Sequence, residues 1–303
     1  MNTKTKHYTN LLAQADKIRR HNRQGSYKTK TRYYEAYKRF LRYLGDVYRL
    51  EKIANISGKH LSSYVKHLQD KGVAASTLKT DLSALRFWHD QIPNPRYELP
   101  PNSEFNLERR QFGRIDRTWS NYEYELMIEL CENAGRPDFA AAIILARNLG
   151  LRIHEVLRID TAIARLAVKT GFLTIKGKNG LFRQIPINTP AQIELEKFLR
   201  LTLPGRKLFV PHDVKTHITK GEIQAFIRER RKLVRDKSQS DKPLTFHGLR
   251  HSFAAETYQK LMASSKSKSE AKRLVSQLLG HNRGDVTRIY LASLRQKDGE
   301  DNV

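Results

Sequence analysis

Short runs in the second half of the chain concentrate side chains that can do chemistry on a phosphate ester. The first is Gly150-Leu151-Arg152-Ile153-His154-Glu155, and the second is Lys176-Gly177-Lys178-Asn179-Gly180. The third is Thr245-Phe246-His247-Gly248-Leu249-Arg250-His251. The fourth is Leu278-Leu279-Gly280-His281, and Tyr290 follows it. Guanidinium forks pair with the non-bridging oxygens of a phosphate and stay charged at neutral pH. Histidine and lysine can move protons, and a phenol can serve as a nucleophile once it loses its own. Taken one at a time these residues are ordinary: a lone arginine on a helix is a surface or ion-paired residue, and a lone tyrosine at helical spacing is core.

Charge sets the class of partner. The chain of 303 residues carries 56 Lys and Arg against 31 Asp and Glu, a net charge of +25, and its pI is about 10.1. A globular chain this basic carries the electrostatic footprint of a polyanion binder, with a ribosomal or membrane-surface protein as the alternative. The single cysteine, Cys131, excludes an internal disulfide and a Cys-rich zinc site. No metal or cofactor is expected. No apolar run approaches the ~20 residues of a membrane span, and no leader is visible behind Met1-Asn2-Thr3-Lys4. The expected location is the reducing cytoplasm.

The apolar spacing outlines the frame that must position these residues. Leu11, Leu12, Ala15 and Ile18 recur at helical spacing, and a second run after Ser26 carries Tyr33, Tyr34, Tyr37, Phe40, Leu41 and Leu44. A third, opened by Ser57 and closed by Gly72, carries Leu61, Tyr64, Val65 and Leu68; a fourth, from Ser76, carries Leu78, Leu82, Leu85 and Trp88. Residues 1–92 therefore predict a four-helix bundle. It is basic around its first connection, at Lys17, Arg19, Arg20, Arg23, Lys28, Lys30 and Arg32, with only Asp16, Glu35 and Asp46 as acids in the first fifty residues. Those cations are candidate phosphate contacts.

Pro93, Pro95, Pro100 and Pro101 predict a linker over 93–118. A second domain, 119–303, opens with a capping box at Ser120 and Glu123. Residues 172–175 and 184–187 predict a small antiparallel β-sheet around an Asn179-Gly180 turn, with Lys178 at its tip. Helices are expected around 190–201, 220–236, 248–262, 269–279 and 285–295. The run 264–269, Ser-Ser-Lys-Ser-Lys-Ser, predicts an extended loop. Arg228 and Arg231, on the helix near 220–236, are further candidate DNA contacts. The fold class is mainly α: the N-terminal bundle, then an α-rich domain with a small β-sheet.

The order Arg-x-x-Glu, Gly-Lys hairpin, His-x-x-Arg, Leu-Gly-His, Tyr resembles the tyrosine recombinase (phage integrase) family over nearly the whole chain. The resemblance implies that the bundle is a core-binding domain and 119–303 the catalytic domain. It implies that Arg152 and Arg250 grip the scissile phosphate, Lys178 is the general acid, His247 and His281 complete the set, and Tyr290 is the nucleophile. Glu155 matches a structural acid. The chemistry agrees: a phenol with a pKa of ~10 must be deprotonated, and the cations stand where another nuclease uses a metal ion. The implied product is a 3′-phosphotyrosine and a free 5′-hydroxyl, on double-stranded DNA, within a homo-tetramer that is monomeric off DNA. Integration or excision of a mobile element is the expected role. Chromosome- or plasmid-dimer resolution, a type IB topoisomerase and a non-catalytic DNA-binding regulator are the alternatives. His154 has no assigned role, His251 reads equally as a neighbour of the site or as a packing residue, and Tyr258 is read as core.

Overall fold

The computed structural model describes residues 6–24, 27–108, 115–177, 180, 182–236, 242–280, 289–292 and 294. The chain divides into two compact units, Met1–Arg110 and Gln111–Val303. Among the described residues no helix is long and apolar enough to cross a membrane.

The first unit is built on α1 (Lys6–His21), α2 (Tyr27–Val47), α3 (Gly58–Asp70) and α4 (Ala75–His89). The residues picked out by helical spacing close its core: Leu11 and Ala15 meet Tyr37, Phe40, Leu41 and Leu44 of α2, and Leu61, Tyr64, Leu82, Leu85 and Trp88 complete it. The Trp88 ring stacks on Tyr37 and meets Tyr34 edge-on. Ser57 caps α3 as expected, with the His60 ring accepting from the Ser57 N–H at 3.1 Å. α4 begins at Ala75, one residue before the expected Ser76.

The second unit contains α5 (Asn121–Asn133), α6 (Pro137–Leu149), a single turn α7 (Ile153–Val156), α8 (Thr161–Thr170), β1 (Phe172–Lys176), β2 (Phe182–Pro186), α9 (Thr189–Leu201), α10 (Thr216–Val234), α11 (Phe246–Ala263) and α12 (Lys268–Leu279). The strands form one two-stranded antiparallel sheet with Leu173 opposite Ile185 and Ile175 opposite Arg183. The capping box at Ser120 is present, with Ser120 N–H donating to Glu123 at 2.8 Å and Glu123 N–H returning to Ser120 Oγ at 3.2 Å. α6, almost wholly apolar, is the central helix, packed against α5, α9 and α11. A separate apolar cluster of Ala254, Val275, Leu279, Tyr290 and Leu291 holds α11 and α12 to the segment bearing Tyr290, with Tyr258 packed against it.

The short α7, α8 and the run at 264–269 differ from expectation. α8 is absent from the sequence reading, although Asp160 caps it and Gly171 ends it in the left-handed conformation. The expected extended loop at 264–269 is instead a short turn. α11 runs to Ala263, Ser264 and Ser265 end it, and α12 starts at Lys268. The serines act as caps: Ser267 Oγ accepts from the Glu270 N–H at 3.2 Å.

Candidate active site

The site is organised on the first turns of α11. His247, Arg250 and His251 stand at helical spacings of three and four and so share one face. The start of the helix is fixed from outside. Trp119 donates from its indole to Thr245 O at 3.0 Å and from its backbone to Ser252 Oγ at 2.8 Å. Gly248 makes this approach possible, because a Cβ there would lie 2.3 Å from Arg117 O and 2.7 Å from Trp119 Nε1. Arg147, reaching across from α6, donates to Trp119 O at 3.1 Å and pairs with Glu256 of α11.

Arg250 is fully buried, and its guanidinium donates to Gly150 O and Leu279 O. One side chain thus ties the turn before Arg152 to the turn before His281. Gly150 ends α6 with φ +62°, and a Cβ on it would strike the Phe253 ring at 2.4 Å. Both the left-handed backbone and the close approach require glycine here. Burial, then the Arg152 charge, pushes the Arg250 guanidinium down to about 10, so it remains charged at neutral pH.

Arg152 is the N-cap of α7, and its backbone N–H and Nη1 both reach Glu155, at 2.8 and 2.9 Å. Glu155 is buried and also receives Arg183 of β2 in a two-pronged pair, at 3.0 and 2.8 Å, with Arg250 Nη1 3.9 Å away. Burial pushes its carboxyl upward, but the bonds from Arg183 and Arg152 outweigh this and hold it at about 2.

Tyr290 is buried, and its hydroxyl lies 3.3 Å from His247 Nε2. Its ring packs on His251 at 4.5 Å between centroids and lies 5.5 Å from the Arg250 guanidinium carbon. His247 is pushed down to about 4 by loss of hydration and then by Arg250 and Arg152. Its residue keeps an exposed edge, and water there screens part of the effect. The buried His251 goes the same way, to about 3, through burial and then His247. Both imidazoles are neutral at pH 7.

The structure therefore brings Arg152, His247, Arg250 and Tyr290 together. Lys178 and His281 lie outside the described residues, as does the side chain of Lys28. Arg20, Arg23, Arg32 and Arg228 are exposed, and Lys30 and Arg231 are half-buried. Arg19 lies over the Tyr34 ring at 4.7 Å and 3.9 Å from Asp16. Sequence reasoning left His251 open between a neighbour of the site and a packing residue, and missed Arg183 as a member of the cluster. For Arg183 a signal was present: it shares a strand face with the buried Ile185, and a charge on an inward face needs a partner. Among the described residues no group of three or more His, Cys, Asp or Glu is placed to hold a metal ion.

Comparison with known proteins identifies the family and the fold. The model of the phage integrase family matches residues 119–297, more than half of the chain, and that of the phage integrase N-terminal SAM-like domain matches 20–91. The chain belongs to the phage integrase family. This integrase-family chain is 25% identical over 269 residues to the tyrosine recombinase XerD of Halalkalibacterium halodurans, covering 84% of this chain and 83% of that protein. A crystal structure of a lambda integrase(75–356) dimer bound to a COC′ core site superposes with TM-score 0.66 at 18% identity, over 93% of this chain and 95% of that one. A lambda integrase tetramer bound to a Holliday junction gives TM-score 0.63 at 19% identity, over 92% and 76%. These likenesses establish the integrase fold, and membership of the family makes the chain a DNA strand-breaking and rejoining enzyme.

Proposed function

We propose that this chain cleaves DNA by attack of Tyr290 Oη on a scissile phosphate held by Arg152 and Arg250. The observation that carries the reading is the Tyr290 hydroxyl 3.3 Å from His247 Nε2, with the Arg250 guanidinium beside the same ring. The Oη–P bond forms, the P–O5′ bond breaks, and the products are a 3′-phosphotyrosine and a 5′-hydroxyl. The phenolic proton passes to His247, and Lys178 and His281 complete proton delivery to the leaving O5′. Rejoining reverses the steps without an external energy source, because the phosphodiester is kept in the tyrosyl link.

The low basicity of His247 fits this order of events. Two of its causes are the charges of Arg250 and Arg152. A phosphate seated between them offsets those charges, so the imidazole becomes a better base when substrate is in place.

Several finer assignments go with this reading. The chain acts in the cytoplasm on double-stranded recombination sites of a mobile element, as a homo-tetramer on DNA. Residues 1–92 form the core-binding domain, 93–118 the linker and 119–303 the catalytic domain. Arg19, Arg20, Arg23, Lys28, Lys30, Arg32, Arg228 and Arg231 contact phosphates, and affinity should fall steeply with added salt; a salt-independent gel shift would refute that assignment.

The test of function uses supercoiled plasmids bearing one or two copies of the DNA flanking the gene. Two copies are expected to yield excised or inverted segments, while one copy gives neither. Relaxation of the one-copy plasmid without exchange between copies would assign the chemistry to a topoisomerase, and absence of both would leave a DNA-binding regulator.

A further inference from the structure

We propose that Arg183 is a positioning residue: it anchors Glu155, and through Glu155 it sets Arg152 and Arg250 relative to the hairpin and to the turn that precedes His281. The proposal rests on the assignment of Arg152 and Arg250 as the phosphate grip.

Geometry carries it. Arg183 sits on β2, opposite Ile175 and facing inward, and its side chain is 8% exposed. Its two terminal nitrogens meet the two oxygens of Glu155 at 3.0 and 2.8 Å. Glu155 is 1% exposed and spends the rest of its accepting capacity on Arg152, at the backbone N–H and at Nη1. Arg250 Nη1 stands 3.9 Å away on the other side. One carboxylate thus sits among three guanidiniums from α11, β2 and the cap of α7. Two phosphate-binding arginines repel each other at close range, and a buried anion between them counters that repulsion. The anion can do so only when its rotamer is fixed, and the two-pronged pair with Arg183 fixes it.

The stem of Arg183 also meets the third turn of the site. A Cβ on Gly280 would lie 3.0 Å from Arg183 Cδ and 3.2 Å from Nη1. Gly280 ends α12 in the left-handed conformation and immediately precedes His281. Arg183 therefore stands on the hairpin that carries Lys178, bonds the acid that holds Arg152, and lies beside Gly280, the residue before His281. Among the described residues its hydrogen bonds go to Glu155 and not to a reacting group, which is why it is a positioning and not a catalytic residue.

The charged and titratable groups around Glu155 are Arg152 and His154 on its own segment, Arg183 from β2 and Arg250 from α11. Burial opposes ionisation of Glu155, and Arg183 is the largest influence in its favour. Without Arg183, the carboxyl moves up in pKa and protonates as pH falls from neutrality. A protonated Glu155 loses its charge hold on Arg152 and Arg250.

The experiment measures the rate of covalent adduct formation on a nicked suicide duplex, from acid to neutral pH, for the full-length chain and for Arg183→Gln and Arg183→Lys. Gel-shift affinity and thermal unfolding are measured alongside. Arg183→Gln is expected to bind DNA close to wild type and to form adduct about tenfold to a hundredfold more slowly at neutral pH. Its acid limb is expected at higher pH than that of the wild type. Arg183→Lys keeps the charge with one bond fewer, and is expected to restore part of the rate and the wild-type acid limb. Unchanged rate and pH profile in folded Arg183→Gln would overturn the proposal. So would a loss in Arg183→Lys or Arg183→Gln that is equal at every pH and matches the loss of folded protein, since that marks a purely structural role. If wild type itself forms no adduct, the reading of the whole site fails and not this assignment alone.

Discussion

Arg250→Ala is expected to abolish detectable cleavage and to lower stability by about 2–6 kcal/mol, the sum for two buried carbonyls that each lose a donor at about 1–3 kcal/mol. The acceptors are Gly150 O and Leu279 O, each receiving one of the two terminal nitrogens of the buried guanidinium. Against a total stability of about 5–15 kcal/mol, such a change is readable in urea unfolding. Arg152→Ala should behave differently. That side chain is 26% exposed and its loss removes one bond to Glu155, so the fold persists while cleavage falls about 10²- to 10³-fold. Arg250→Lys should not rescue, because one ammonium cannot span two carbonyls that a planar fork bridges. An Arg250→Ala protein with wild-type unfolding would show that the clamp is not structural. One with wild-type cleavage would remove Arg250 from the phosphate grip. The two arginines thus take different parts: Arg250 is as much a tie between turns as a ligand for phosphate, while Arg152 is the more accessible cation.

Local rules read from the sequence located most of the frame. Helical spacing found α1 to α4 because each buries one apolar stripe, and the Ser120–Glu123 box marked the start of α5 because both of its bonds are local. The hairpin was legible for the same reason. Three features depended on contacts distant in sequence. The role of Arg183 is set by Glu155, 28 residues earlier. The approach of Trp119 to α11 spans 133 residues to Ser252. The fully buried state of Arg250 depends on carbonyls 100 and 29 residues away. No spacing rule reports such pairs. The polar run at 264–269 misled in the opposite sense, since serines that suit a loop suit helix caps equally well. For the site, order along the chain supplied the candidate residues, but only the fold shows that Tyr290 lies against His247 and His251 and that Glu155 is shared among the arginines.

Tyr290→Phe is the second variant of large expected effect. Removing one oxygen leaves the ring packed against Ala254, Val275 and Leu279, so the fold and DNA binding should be kept. The hydrogen bond to His247 disappears, and with it the hydroxyl that attacks in the proposed mechanism. The change is absolute in kind, because no residual nucleophile at that place can form a stable phosphoester with the protein. His247→Ala, by comparison, should slow the reaction by about 10²- to 10⁴-fold and not stop it, since it removes proton transfer and leaves the nucleophile.

The most direct measurement incubates the chain, in EDTA, with a duplex from the DNA flanking the gene, nicked beside the cleavage position so that the short 5′-hydroxyl fragment diffuses away. The trapped complex is digested and its DNA-linked peptide sequenced by mass spectrometry. The expected result is one phosphodiester link, on Tyr290, with no adduct from Tyr290→Phe. An adduct that survives in Tyr290→Phe, that maps to another residue, or that forms only when magnesium is added would contradict the assignment of Tyr290 as the nucleophile of an arginine-held phosphate.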